Sequence, residues 1–131
     1  MNLLLDTHIF LWSMLEPERL SRKVGVELEN RENQLWFSPI SSWEIMLLEK
    51  KGRIALKPDA VSWLREAFRR APLKEARINH EVAIQSCLIK LSHQDPADRL
   101  LAATAVVYEL TLVTADERLT KSKRYKVLKN K

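Results

Sequence analysis

The chain has 131 residues, a length that fits one domain (1–131). It is 46% hydrophobic and 30% charged with a formal net charge of +5, which suits a real core under a solvated surface and argues against long-range disorder. Two glycines exclude a glycine-rich phosphate loop, and the single cysteine, Cys87, excludes an internal disulfide and a cysteine-rich zinc site, so a reducing setting such as the cytoplasm is expected.

Asn2-Leu3-Leu4-Leu5 is a short apolar run that ends at Asp6 and reads as a buried strand. A helix is expected over 7–15, stopped by Glu16-Pro17-Glu18. These apolar stretches, broken by Asp6, Thr7 and His8, fall well short of the roughly 20 residues of a membrane span. No basic segment precedes them, so neither a membrane anchor nor a signal peptide is expected. Ser21 is placed to cap a polar helix reaching about Asn30, and 35–38 reads as a second strand stopped by Pro39. Ser41 and Glu44 have the spacing of a capping box, which predicts a helix from Ser41 to about Lys51, ended by Gly52. Pro58 is expected in the first turn of the next helix, 58–70, with Val61, Leu64 and Phe68 on its apolar face. A third strand over 73–78 and a helix over 80–91 follow, the latter with Val82, Ala83, Ser86 and Cys87 aligned and Cys87 buried. Asp95-Pro96 opens a helix to about Glu109. Residues 110–115 form the clearest strand, and a short helix after Asp116 and a strand near 125–128 close the chain. Short apolar strands alternating with helices predict an α/β fold, a central parallel β-sheet flanked by α-helices.

The positive charge is concentrated at one end. From Arg118 to Lys131 there are 7 basic residues and no acid, while the rest of the chain carries a net −2. Such a strip holds phosphates by counterion release, with Lys121, Lys123 and Arg124 as candidates, or it is a solvated, frayed tail.

Four acids, Asp6, Glu44, Asp98 and Asp116, fall at strand-to-helix junctions or in first helical turns. Each taken alone has an ordinary reading as a cap or as an acid at the positive end of a helix. Together they fall where a parallel sheet makes its ligand crevice, at the carboxyl ends of the strands. Carboxylates about 5 Å apart repel by roughly 3 kcal/mol per pair at an effective dielectric near 20. A cluster of them therefore calls for a cation, and oxygen-only ligands point to Mg2+ or Mn2+ and to hydrolysis of a phosphodiester. Asp95 suits an N-cap but lies one turn from Asp98, within reach through a water. Thr114 could position water or make a local hydrogen bond. His8 and His93 flank acids and suit hydrogen bonding to a carboxylate. Arg99 offers phosphate contact or an ordinary surface pair. Trp12, Trp36, Trp43 and Trp63 suit packing better than base stacking.

These segments resemble a PIN-domain ribonuclease of the VapC toxin type, in order and over essentially the whole chain. Leu3-Leu4-Leu5-Asp6-Thr7-His8 is similar to the family's opening motif and Ser41-Ser42-Trp43-Glu44-Ile45 to its second. His93-Gln94-Asp95-Pro96-Ala97-Asp98-Arg99-Leu100-Leu101 is similar to its third, and Leu112-Val113-Thr114-Ala115-Asp116 to its fourth. The resemblance implies a PIN-like fold and a Mg2+- or Mn2+-dependent endoribonuclease with Asp6, Glu44, Asp98 and Asp116 about the metal. It also implies a VapB-type antitoxin partner and a homodimer. Two other readings stay open at this point: a PIN-like module that binds RNA or protein without cutting, and a PIN nuclease of RNA maturation without an antitoxin.

Overall fold

In the computed structural model, which describes every residue except His93, five strands are separated by seven helices, two helices in each of the first three connections and one in the last. The strands are β1 (Asn2–Leu5), β2 (Gln34–Phe37), β3 (Leu73–Glu75), β4 (Thr111–Thr114) and β5 (Lys126–Lys129). The helices are α1 (Thr7–Leu15), α2 (Arg22–Glu29), α3 (Pro39–Lys50), α4 (Ala60–Arg70), α5 (His80–Leu88), α6 (Pro96–Val107) and α7 (Glu117–Thr120), with a 3-10 turn at Pro17–Arg19. All strand pairs are parallel, in the order β3-β2-β1-β4-β5. The chain therefore builds outward from β1 to one side, then crosses over and builds to the other. The reversal falls between β1 and β4, where an open parallel sheet has its crevice.

The central strands are apolar on both faces because both are covered. Leu3, Leu5 and Val113 face a core shared with Ile9, Phe10, Val24, Ile45 and Leu64 from α1 to α4. Leu4 and Leu112 face a second core with Ile89, Leu101, Ala102, Ala105 and Leu119 from the α5–α7 side. Leu3, Leu4 and Leu112 are fully buried, each burial contributing about 1.5–3 kcal/mol. Alanines on α6 let it lie close to the sheet.

Local signals set most element ends. The Ser21 hydroxyl caps α2 by accepting from the Val24 amide at 3.2 Å, and Asp95 caps α6 by accepting from the Ala97 amide at 2.9 Å. Gly52 takes a left-handed φ of 71° just past α3, a conformation that favours glycine.

Several expectations need correction. Helix α3 starts at Pro39, not Ser41: Ser38 is its N-cap, accepting from the Ile40 amide at 3.1 Å. Ser41 and Glu44 are thus inside the helix and form no capping box. Pro58 lies outside α4, which Asp59 caps through the Ser62 amide at 2.8 Å. The buried face of α4 is Ala60, Leu64 and Ala67, while Val61 and Phe68 are exposed. Strand β3 stops at Glu75 and α5 at Leu88, and Cys87 is exposed on it, not buried. The basic C-terminal segment is not frayed. Tyr125 is buried and donates to the Leu119 carbonyl at 2.7 Å, and β5 completes the sheet. The Asn130 side chain accepts from the Ser21 amide at 2.6 Å and donates to the Arg19 carbonyl at 3.0 Å.

Candidate active site

At the carboxyl ends of β1 and β4 lies an open crevice of about 530 Å³. Asp6, Glu44, Asp95, Asp98 and Asp116 line it, with His8, Trp12, Arg19 and Arg118 on its walls. All four acids singled out from the sequence meet there, each delivered by a different element. Asp6 follows β1 directly; its amide donates to the Val113 carbonyl at 3.0 Å, so the β1–β4 pairing itself fixes its position. Asp98 is in the first turn of α6 and Asp116 follows β4. Glu44 comes from the second turn of α3.

The hydrogen bonds separate capping from other work. Asp6 stands at the N-cap position of α1, yet its side chain caps nothing. It accepts instead from the Thr114 hydroxyl at 2.6 Å, across the β1–β4 junction. That hydroxyl also accepts from the Asp116 amide at 3.0 Å, so Thr114 ties two of the acids into one geometry. Glu44 accepts from the Thr7 hydroxyl at 2.6 Å, and Thr7 and Ser41 hydroxyl oxygens are 2.9 Å apart, both residues buried. Asp95 does cap its helix. Asp116 caps α7, accepting from the Arg118 amide at 2.9 Å, while remaining on the crevice.

Burial pushes the Asp6 carboxyl above the usual carboxylate range. The Thr114 hydrogen bond and the charge of His8 oppose that, and the charge of Asp98 adds to it. Glu44 is raised for the same leading reason, burial, opposed by Thr7 and reinforced by Asp6, Asp98 and Asp95. Asp6 raises the proton affinity of Glu44, and the charge of Asp98 raises that of both, so the acids of the crevice leave it short of positive charge.

One cation already faces them, and the sequence reading had given it no role there. Arg118 reaches Asp116 with two guanidinium nitrogens, Nε at 3.2 Å and Nη2 at 3.0 Å, and the same Nη2 is 3.7 Å from Asp98. The signal was available as an arginine two residues after an acid that caps a short helix, but a search for ligand acids passes over it. Arg99, read as a phosphate contact or an ordinary surface pair, turns away from the acids. Its guanidinium donates to the Ser86 carbonyl at 2.8 Å and to the Ile89 carbonyl, closing the end of α5. Arg124 lies at the opposite end of the sheet with Met1, Asn2 and Glu109, and Lys121 and Lys123 are exposed on the return to β5. The structure does not bring these three to the acids. His8 lies at the rim, its ring 5.9 Å from that of Trp12; His93 is outside the described residues.

The donor set is all oxygen, chemistry suited to a hard divalent cation. Among the described residues, no three of the His, Cys, Asp and Glu side chains are gathered tightly enough to hold one. That fits with Arg118 lying against Asp98 and Asp116, and with hydroxyls holding Asp6 and Glu44.

Residues 3–124 match the PIN domain family. The chain belongs to that family. Among characterised PIN proteins it is 35% identical over 119 residues to ribonuclease VapC22 of Mycobacterium tuberculosis (strain ATCC 25618 / H37Rv), covering 90% of this chain and 89% of that one. Among solved structures this PIN domain resembles VapBC2 from Rickettsia felis bound to a fragment of its promoter DNA, with a TM-score of 0.71 and 16% identity, covering 98% of each chain. It also resembles DNA-bound VapBC from Salmonella typhimurium, with a TM-score of 0.69 and 17% identity, again over 98% of each chain. At those identities the structural likeness concerns the fold, and the parallel PIN architecture expected from the sequence is the one observed.

Proposed function

We propose that this PIN protein is an endoribonuclease dependent on Mg2+ or Mn2+, and the toxin of a toxin–antitoxin pair whose partner is a VapB-type antitoxin. One observation carries the reading: four acids from four separate segments share the crevice at the sheet's reversal point, and Asp6, which stands at the N-cap position of α1, makes no capping bond with its side chain. The likeness to a ribonuclease named VapC22, over nine-tenths of both chains, supports RNA as substrate. The fold shared with the toxin–antitoxin complexes supports the partner.

In this reading Asp6, Asp98 and Asp116 hold the cation and Thr114 keeps Asp6 and Asp116 in register for it. When bound, a divalent cation supplies charge to offset that of the phosphate and lowers the pKa of water. To Glu44 we assign the proton of the attacking water, taken on Oε2, the oxygen to which Thr7 does not donate. Its raised proton affinity brings it toward the working pH of a general base. Thr7 fixes that carboxyl against rotation.

The test is cleavage of a panel of structured RNAs with Mg2+, Mn2+ or EDTA, comparing the wild type with Asp98→Asn. We expect metal-dependent cutting that falls more than about a hundredfold in the variant, with unchanged circular dichroism. Cutting in EDTA, or full activity in Asp98→Asn, would overturn the reading.

A further inference from the structure

The crevice carries a cation of its own. Arg118 follows Asp116 by two residues, and its amide donates to Asp116 Oδ1 at 2.9 Å, so the acid caps the turn that carries the arginine. The guanidinium then grips both oxygens of Asp116, Nε on Oδ1 at 3.2 Å and Nη2 on Oδ2 at 3.0 Å. From there Nη2 reaches Asp98 Oδ2 at 3.7 Å, so one nitrogen spans acids from two distant segments, the first turn of α6 and the residue ahead of α7. A planar, two-pronged cation on a carboxylate is the strong form of this contact. The Asp98 and Asp116 side chains are 14% and 26% exposed, whereas Arg118 is 56% exposed. The acids are thus largely covered by the crevice wall, and the arginine is the partner that faces solvent. A second arginine on the same crevice behaves differently. Arg19 lies over the Trp12 ring at 4.3 Å and pairs with Glu16 at 3.2 Å.

A cation tethered beside its acids is present at a high effective concentration. It competes with any ion that needs the same oxygens. We infer that Arg118 is a built-in counter-cation: it occupies the Asp98–Asp116 pair until a divalent ion displaces it, and so sets the ion concentration at which the crevice loads. The inference rests on the metal-dependent reading above and adds to it a residue of the chain that resists loading. It accounts for a crevice that is rich in acids yet, among the described residues, has no three gathered for an ion.

The experiment is Mn2+ titration of the full chain, followed by the electron paramagnetic resonance signal of free Mn2+, with no RNA and no turnover. Wild type, Arg118→Gln and Arg19→Gln are compared. We expect Arg118→Gln to bind Mn2+ about threefold to tenfold more tightly than wild type, and Arg19→Gln to stay within about twofold of it. Equal affinity in wild type and Arg118→Gln would overturn the counter-cation and leave the metal site standing. Equal tightening in both variants would assign the effect to net charge and would also overturn it. Absence of Mn2+ binding in all three proteins would overturn the metal reading itself, and this inference with it.

Discussion

At the scale of single residues, the acids set the protein's response to pH. Burial keeps protons on Asp6 and Glu44 to higher pH in the folded chain than in the unfolded one. Between the ordinary and the raised values the folded state binds more protons, so stability falls as pH rises through that interval and the loss is complete above it. Asp59 and Glu66 are shifted down by hydrogen bonds, so their contribution is lost only as pH falls through their lowered values, a more acidic window. The metal-free protein is therefore expected to melt higher near pH 5 than near pH 8. Asp6→Asn should raise the melting temperature at about pH 8 and flatten that slope, as removal of a strained functional acid often does. Thermal melts across the range check this; an unchanged slope would count against Asp6 as its source. The acids themselves were legible in the sequence because strand ends and helix starts leave local marks. Thr7 and Thr114 as the hydroxyls that hold Glu44 and Asp6 were less so, since each contact spans distant positions: Thr7 to Glu44, Thr114 to Asp6.

At the scale of elements, the same contrast explains which boundaries were readable. Ser21 and Asp95 cap the next backbone turn, a local event, and both helices begin where the sequence placed them. Ahead of α3 the cap is Ser38, three residues before the expected Ser41, and the side chains of Ser41 and Glu44 meet Thr7 across the site instead. The buried side of α5 was misread because α6, packed along it, decides which side is covered; Val82 is buried and the Cys87 side chain is left exposed. Arg99 belongs to this scale as well. Its donors satisfy carbonyls at the end of α5, groups that have no partner within the helix. Arg99→Ala is expected to lower stability by about 1–2 kcal/mol in denaturant melts. Its Michaelis constant for RNA should be unchanged when assayed where both proteins are folded. A raised constant at equal stability would restore a phosphate role to Arg99.

At the scale of the whole molecule, the surface is unevenly apolar. Ile84 and Leu88 on α5 are 53% and 63% exposed, and large apolar groups left in water mark association surfaces. We propose that the homodimer implied by the family resemblance forms through this face, with the same patch on both subunits. Light scattering after size exclusion should report a dimer for the wild type and a monomer for Leu88→Glu. A dimer that survives the substitution would move the interface elsewhere. No helix among the described residues is long and apolar enough to cross a membrane.

The parallel sheet also decides what can be attached to this protein, and where. Met1 sits at the amino end of β1, its ammonium on the Asn33 side chain at 2.7 Å, at the far end of the sheet from the acids. Lys129 pairs with Thr114 at the carboxyl end, and Asn130 then binds the Arg19 backbone, whose guanidinium lies over Trp12 at the crevice wall. A purification tag or fluorescent fusion placed before Met1 leaves the crevice open. The same addition after Lys131 begins beside its mouth and pulls on the turn that carries Arg19.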